Sequence, residues 1–105
     1  MPKGEGLDDF LVEIGRIVLS RAGRDKNRYF MICDIKDKEF VYISDGDYRK
    51  LQRPKLKKLK HLHKTPIILE NIQEKLQNGK KVFDAELRSA IINAGYKSSE
   101  NERRV

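Results

Sequence analysis

Between residues 49 and 64 the chain carries Arg49, Lys50, Arg53, Lys55, Lys57, Lys58, Lys60 and Lys64 and no acidic residue. Such a stretch draws polyanions by releasing their condensed counterions and by long-range steering. The whole chain has 23 basic and 16 acidic residues, a formal charge of +7; removing those eight leaves 15 basic against 16 acidic, so the entire excess sits in one segment. Leu51, Leu56, Leu59 and Leu62 alternate with the charges and give the segment apolar anchors, so it is expected to lie on a core rather than extend as a tether. Both histidines, His61 and His63, fall inside it. An imidazole can stack on a base or donate to a phosphate, and a pair at this spacing could equally be half of a metal site. No third ligand stands nearby, so neither a metal nor a cofactor is expected.

A second group of cations, Arg21, Arg24, Lys26 and Arg28, surrounds the turn-like residues Ala22-Gly23 and Asp25 to Asn27. Arginine in a loop grips phosphate with a planar fork, while lysines act as point charges that hold register without reading sequence. Residues that could do covalent chemistry lack partners. Ser20 and Cys33 have no base at a recognisable spacing, and Cys33 sits in an apolar run where a thiol is buried and inert. Asp45-Gly46-Asp47 has no downstream glutamate to complete a calcium loop and reads as a turn. Tyr29 and Tyr48 flank basic positions and could stack on unpaired bases, but strand tyrosines more often belong to the core. No catalytic residue is assigned.

The elements that would position these cations are mostly strands. Residues 15–21 form a short β-branched run, Tyr29 to Ile35 a second strand and Glu39 to Ser44 a third, with a charged turn near residues 36–38. The second and third runs carry apolar residues on successive positions, so both faces are partly buried, as a closed barrel or a helix-covered sheet requires. The basic segment supplies one or two further strands, and five would close a small barrel. After it, Thr65 can cap a helix, Pro66 suits its first position, and Ile68, Leu69, Ile72 and Leu76 form its apolar stripe up to Asn78-Gly79. Asp84 can cap a second helix in which Leu87, Ala90, Ile91 and Ala94 share a face before Gly95. The division expected is a flexible arm over residues 1–9, a barrel over 10–65 containing the basic segment 49–64, a helical extension over 66–95 and a flexible tail over 96–105.

From Gly15-Arg16-Ile17-Val18 through the basic glycine turn to Ile35, the sequence resembles a KOW motif. With Gly23-Arg24, Arg28, Asp34-Ile35 and Lys60-His61-Leu62 it resembles more narrowly the archaeal and eukaryotic large-subunit ribosomal protein fourteen-e and its bacterial KOW-domain relatives. The resemblance spans about residues 14–65. It implies a mainly β fold, a small SH3-like barrel followed by a short helical hairpin, that binds structured RNA without catalysis. The contacts implied are Arg21, Arg24, Lys26 and Arg28 in the loop, and Arg49, Lys50, Arg53, Lys55, Lys57, Lys58, Lys60, His61 and His63 in the basic segment. Ribosomal RNA is the partner implied, with ribosomal proteins as further neighbours. KOW loops place a glycine where this chain has Asn27, and asparagine also accepts a positive φ, so the turn should survive.

Composition agrees with one small domain, because 105 residues cannot build two independent cores. A single cysteine excludes an internal disulfide, and no apolar run follows Lys3 or approaches the length of a membrane span, so a cytoplasmic, membrane-free protein is expected. The competing expectation is a protein-interaction module docking on an acidic partner in the transcription or translation machinery. Such a module should leave an apolar patch uncovered on Ile68, Ile72, Ile91 or Ile92. The sequence sets no oligomeric state.

Overall fold

In the computed structural model, which describes residues 12–98, five strands form one antiparallel sheet that is followed by two helices. The arm expected over residues 1–9 and the tail from residue 99 lie outside the described residues. The strands are β1 (Arg16–Ser20), β2 (Tyr29–Ile35), β3 (Phe40–Ser44), β4 (Lys55–Lys58) and β5 (Leu62–Ile68), in the order β4-β3-β2-β1-β5. Laid flat, such a sheet would separate its two edges by about 19 Å at roughly 4.8 Å per strand. Here the edge strands β4 and β5 are joined by one 3-10 turn, Leu59–His61, which advances only about 2 Å per residue. The sheet must therefore curl on itself into a small barrel-like unit.

The inside of the curl is filled by Val18, Phe30, Ile32, Val41, Ile43 and Leu62, with Leu59 and Val12 packed against them. The outer face of β2 presents Tyr29, Met31 and Cys33 to the helices α1 (Glu70–Gln77) and α2 (Asp84–Asn93), where Ile72, Leu87 and Ile91 complete a second core. Strand β2 is thus buried on both faces, which is why its sequence runs apolar without alternation. A register shift between Ile32 and Asp34 bulges the strand at Cys33, bending it as a curled sheet needs.

The first helix starts later than the local signals suggest. Thr65 and Pro66 belong to β5, and the helix opens after Leu69 at Glu70. Pairing with β1 outweighs the capping signal: the Thr65 hydroxyl donates to the Ile17 carbonyl at 2.7 Å instead of accepting a helical N–H. Pro66, lacking an N–H, sits where the β1–β5 register shifts, so it breaks no ladder bond. Asp84 is likewise the first residue of α2 rather than its cap; the residue before it is Phe83, and the Asp84 carboxylate accepts the Leu51 backbone N–H at 2.7 Å. Both helices end in Schellman motifs, with Lys80 N–H on Lys75 O and Tyr96 N–H on Ile91 O. The second of these turns Tyr96 onto Tyr29, ring centroids 4.9 Å apart, and Ser98 Oγ then accepts the Tyr29 N–H. Residues 96–98 are therefore docked on the barrel, where fraying was expected.

Gly46 lies close against the backbone of the first turns of α2. Its φ is +78°, and a Cβ there would strike the Asp84 carbonyl and approach the Arg88 backbone nitrogen at 3.2 Å. Because both obstacles are backbone, neither can swing aside. Gly46→Ala is expected to lower stability by about 2 kcal/mol or more, read from the urea midpoint.

Candidate nucleic-acid interface

The β1–β2 loop is wound tightly before any ion pair is counted. Asn27, at φ +72°, donates its N–H to Ser20 O, and Ser20 N–H returns to Arg28 O. Asparagine takes the left-handed conformation here, as expected. Within the loop, Asp25 turns inward, its side chain 1% exposed, and accepts hydrogen bonds at 2.8 Å from Ser20 Oγ and from Lys57 Nζ. Lys57 Nζ also donates to Ala22 O at 2.8 Å, and Lys55 Nζ stands 3.9 Å from the second oxygen of Asp25. One buried carboxylate thus ties the first basic loop to the lysines of β4. Burial pushes the Asp25 carboxyl up, but the hydrogen bonds from Lys57 and Ser20 and the charges of Lys57 and Lys55 outweigh it, so it titrates below its ordinary value.

A third strand of the clamp is backbone: Arg21 N–H donates to His61 O at 2.9 Å, joining the loop to the 3-10 turn. Exposed Arg21, Arg24 and Lys26 therefore stand beside Lys55, Lys60 and His61 at one end of the barrel. Among the described residues, no ion pair involves Arg21, Arg24, Lys26 or Lys60, so their charge faces outward.

Two expected contact residues prove to be internal. Lys57 is spent on Asp25, as described, with its side chain 8% exposed. Arg28 is buried against Asp45 at 3.4 Å, and its guanidinium lies 4.4 Å from the Tyr48 ring centre. Asp45 in turn accepts the N–H groups of Asp47 and Arg49, winding the β3–β4 loop around its carboxylate. Arg49, Lys50 and Arg53 belong to this second loop, which leans on α2 through Gly46 and Leu51. Tyr48 is exposed, not core, whereas Tyr29 packs on Tyr96.

Strand geometry divides the remaining cations. Side chains alternate across a strand, so Lys55 and Lys57 project to the Asp25 side while Leu56 and Lys58 project to the other. Lys58 Nζ lies 5.6 Å from the centre of the Phe40 ring, away from the clamp. His63 is exposed on β5 opposite Leu19. Among the described residues, no group of three or more His, Cys, Asp or Glu side chains is placed to hold a metal ion.

Sequence reading missed the two aspartates that organise the site. The signal was present as an acid inside each basic loop, Asp25 after Gly23 and Asp45 before Gly46, since an acid within a cationic loop is the natural internal counter-ion. Cys33 is half-buried, and burial, then the neighbouring Asp34 charge, push its thiol up to about 12. It should resist iodoacetamide at pH 8 in the folded chain and react readily in urea, as followed by mass spectrometry. Of the four isoleucines on the helical side, Ile72 and Ile91 are buried, Ile68 is half-buried, and Ile92 is 43% exposed. No helix among the described residues is long and apolar enough to cross a membrane. No protein-family model matches the chain.

Proposed function

We propose that this chain is a non-catalytic RNA-binding protein of the KOW kind, an SH3-like barrel whose clamped loop and 3-10 turn grip the phosphates of structured RNA. Ribosomal RNA is its target and the cytoplasm its place of work. The observation that carries the reading is the Asp25 clamp, which gathers Arg21, Arg24, Lys26, Lys55, Lys60 and His61 at one end of the barrel. A loop fixed in advance spends little conformational entropy when it meets its ligand. Guanidinium forks and ammonium charges on a rigid rim suit the shape and backbone of RNA rather than its sequence.

The test is a salt titration of binding to a ribosomal RNA hairpin. Each neutralised phosphate contributes about 0.7–0.9 to the slope of log affinity against log salt, so a slope steeper than about three is expected from the exposed cations of the rim. A slope near zero would sink the reading.

A second reading, a module docking on an acidic protein of the transcription or translation machinery, is favoured by the exposure of Ile92. Ile35 and Phe83 are exposed as well, but a few exposed apolar side chains are ordinary on a small domain, and the RNA reading has the organised rim in its favour.

A further inference from the structure

The helices cover only part of the outer sheet face. On β3, Phe40, Tyr42 and Ser44 share that face by strand alternation, and Ser44 is buried while Phe40 and Tyr42 stay partly open. On the neighbouring β4, Lys58 lies opposite Phe40 and Leu56 opposite Tyr42, with Leu56 41% exposed. Two aromatic residues two positions apart thus share one face of a strand, bordered by an apolar residue. Cations flank them: Lys58 Nζ and Lys36 Nζ lie 5.6 and 5.9 Å from the centre of the Phe40 ring. Two acids border this patch: Asp34 lies across from Tyr42 in the sheet register, and the Asp37 carboxylate accepts the Phe40 N–H at 2.9 Å.

We propose that this open face, built on Phe40 and Tyr42, is a stacking platform for unpaired bases of single-stranded RNA. The inference rests on the RNA-binding reading and adds a second surface, on a different face from the Asp25 clamp. Charge and shape together select the occupant. Every base offers a flat π-face to an aromatic ring, and stacking of this sort tolerates sequence. The two ammonium groups now over Phe40 make exposed cation–π contacts, which are weaker than base stacking. A base displaces them, and the freed lysines reach the phosphates on either side. Asp34 and Asp37 repel phosphate, so the backbone runs along Lys58 and Lys36; the Asp34 carboxylate can accept the amino group of a base laid over Tyr42.

The experiment uses the full chain with two labelled RNAs, an oligoadenylate and a ribosomal hairpin. Phe40→Ala is expected to weaken oligoadenylate binding about tenfold and to leave hairpin binding unchanged. The chain has four tyrosines but no tryptophan, so Phe40→Trp places the single tryptophan in the platform, and its emission, excited selectively to the red of tyrosine absorption, should be quenched as oligoadenylate saturates. Leu56→Trp serves the same purpose at a more exposed position if either Phe40 variant fails to fold. Oligoadenylate bound with unchanged emission, or with unchanged affinity in Phe40→Ala, overturns the proposal. Hairpin binding without oligoadenylate binding removes the platform alone and leaves that face to a protein partner. Binding of neither RNA by the wild type removes the RNA-binding reading as well.

Discussion

Replacing Asp25 by alanine is expected to cost about 3–5 kcal/mol of folding stability, because it leaves the Lys57 ammonium buried without its counter-ion. The side chains of the pair are 1% and 8% exposed, so water cannot take over the charge that Asp25 neutralises. Ser20 Oγ would lose an acceptor in the same step. Adding Lys57→Met to the alanine variant should restore much of the loss, since two uncharged groups in that space need no ionic partner. If the double variant is no more stable than Asp25→Ala alone in urea, the clamp is not the source of the effect. The pH dependence gives a second readout. Asp25 titrates below its unfolded value of 3.8, so its contribution is present in full well above that pH and is lost as pH falls through the lower, folded value. Acid destabilisation of the wild type should therefore be steeper than that of Asp25→Ala. Asp37 and Glu86, also held below their ordinary values by hydrogen bonds from backbone N–H groups and from Lys75 respectively, keep part of the acid limb in both chains.

The strands were legible because their signals are redundant. The bounds of β2 follow from a seven-residue run, apolar except for Asp34, between a basic turn and a charged one, and its two-sided burial from the absence of alternation over its first five residues. Signals confined to one or two residues failed where a distant partner competed. Thr65-Pro66 has the chemistry of a helix start, but the β1 ladder offers Thr65 a carbonyl acceptor at Ile17 that no local sequence announces. Asp84 looks like a cap, yet its carboxylate is taken by the Leu51 N–H, 33 residues away in the chain. The docking of Tyr96 was hidden for the same reason, since Gly95 shows that a helix ends but not which surface the next residue meets.

The site was legible as a charge distribution and illegible as a division of labour. In sequence, Lys57 cannot be told from Lys55 or Lys58, because an internal lysine and a solvated one have the same neighbours in a cationic run. The fold separates them by strand parity: Lys57 turns to Asp25, Lys58 turns to Phe40, and Lys55 stands between water and the clamp. Arg28 is distinguished from Arg24 in the same way, by the position of Asp45 across the barrel end. The basic segment therefore holds one structural cation, a rim, and a lysine on another face, and the second structural cation, Arg28, belongs to the first loop.

That division leads to the other large effect. Reversing Arg24, Lys26 and Lys60 together to glutamate should weaken hairpin RNA binding by at least about 100-fold at moderate salt, because phosphate contacts become repulsions. Neutralising the same three to glutamine should reduce the slope of log affinity against log salt by about three, roughly one per lost contact. All three are exposed, and surface substitutions of this kind change stability by no more than about 0.5 kcal/mol, so the urea midpoint should hardly move. Arg28→Ala and Lys57→Ala should show the reverse pattern. Each removes the buried cation that faces a buried carboxylate, Asp45 or Asp25, and should cost stability on the scale of a broken internal ion pair. Their salt slope should stay near the wild-type value under conditions where the variants remain folded. Were Arg28→Ala and Lys57→Ala to lower the slope as the rim variants do, these cations would have to leave their carboxylates for phosphate, and the clamp would be a resting state that RNA opens. Unchanged slopes in both would instead confine RNA contact to the exposed rim, with Asp25 and Asp45 holding the loops that present it.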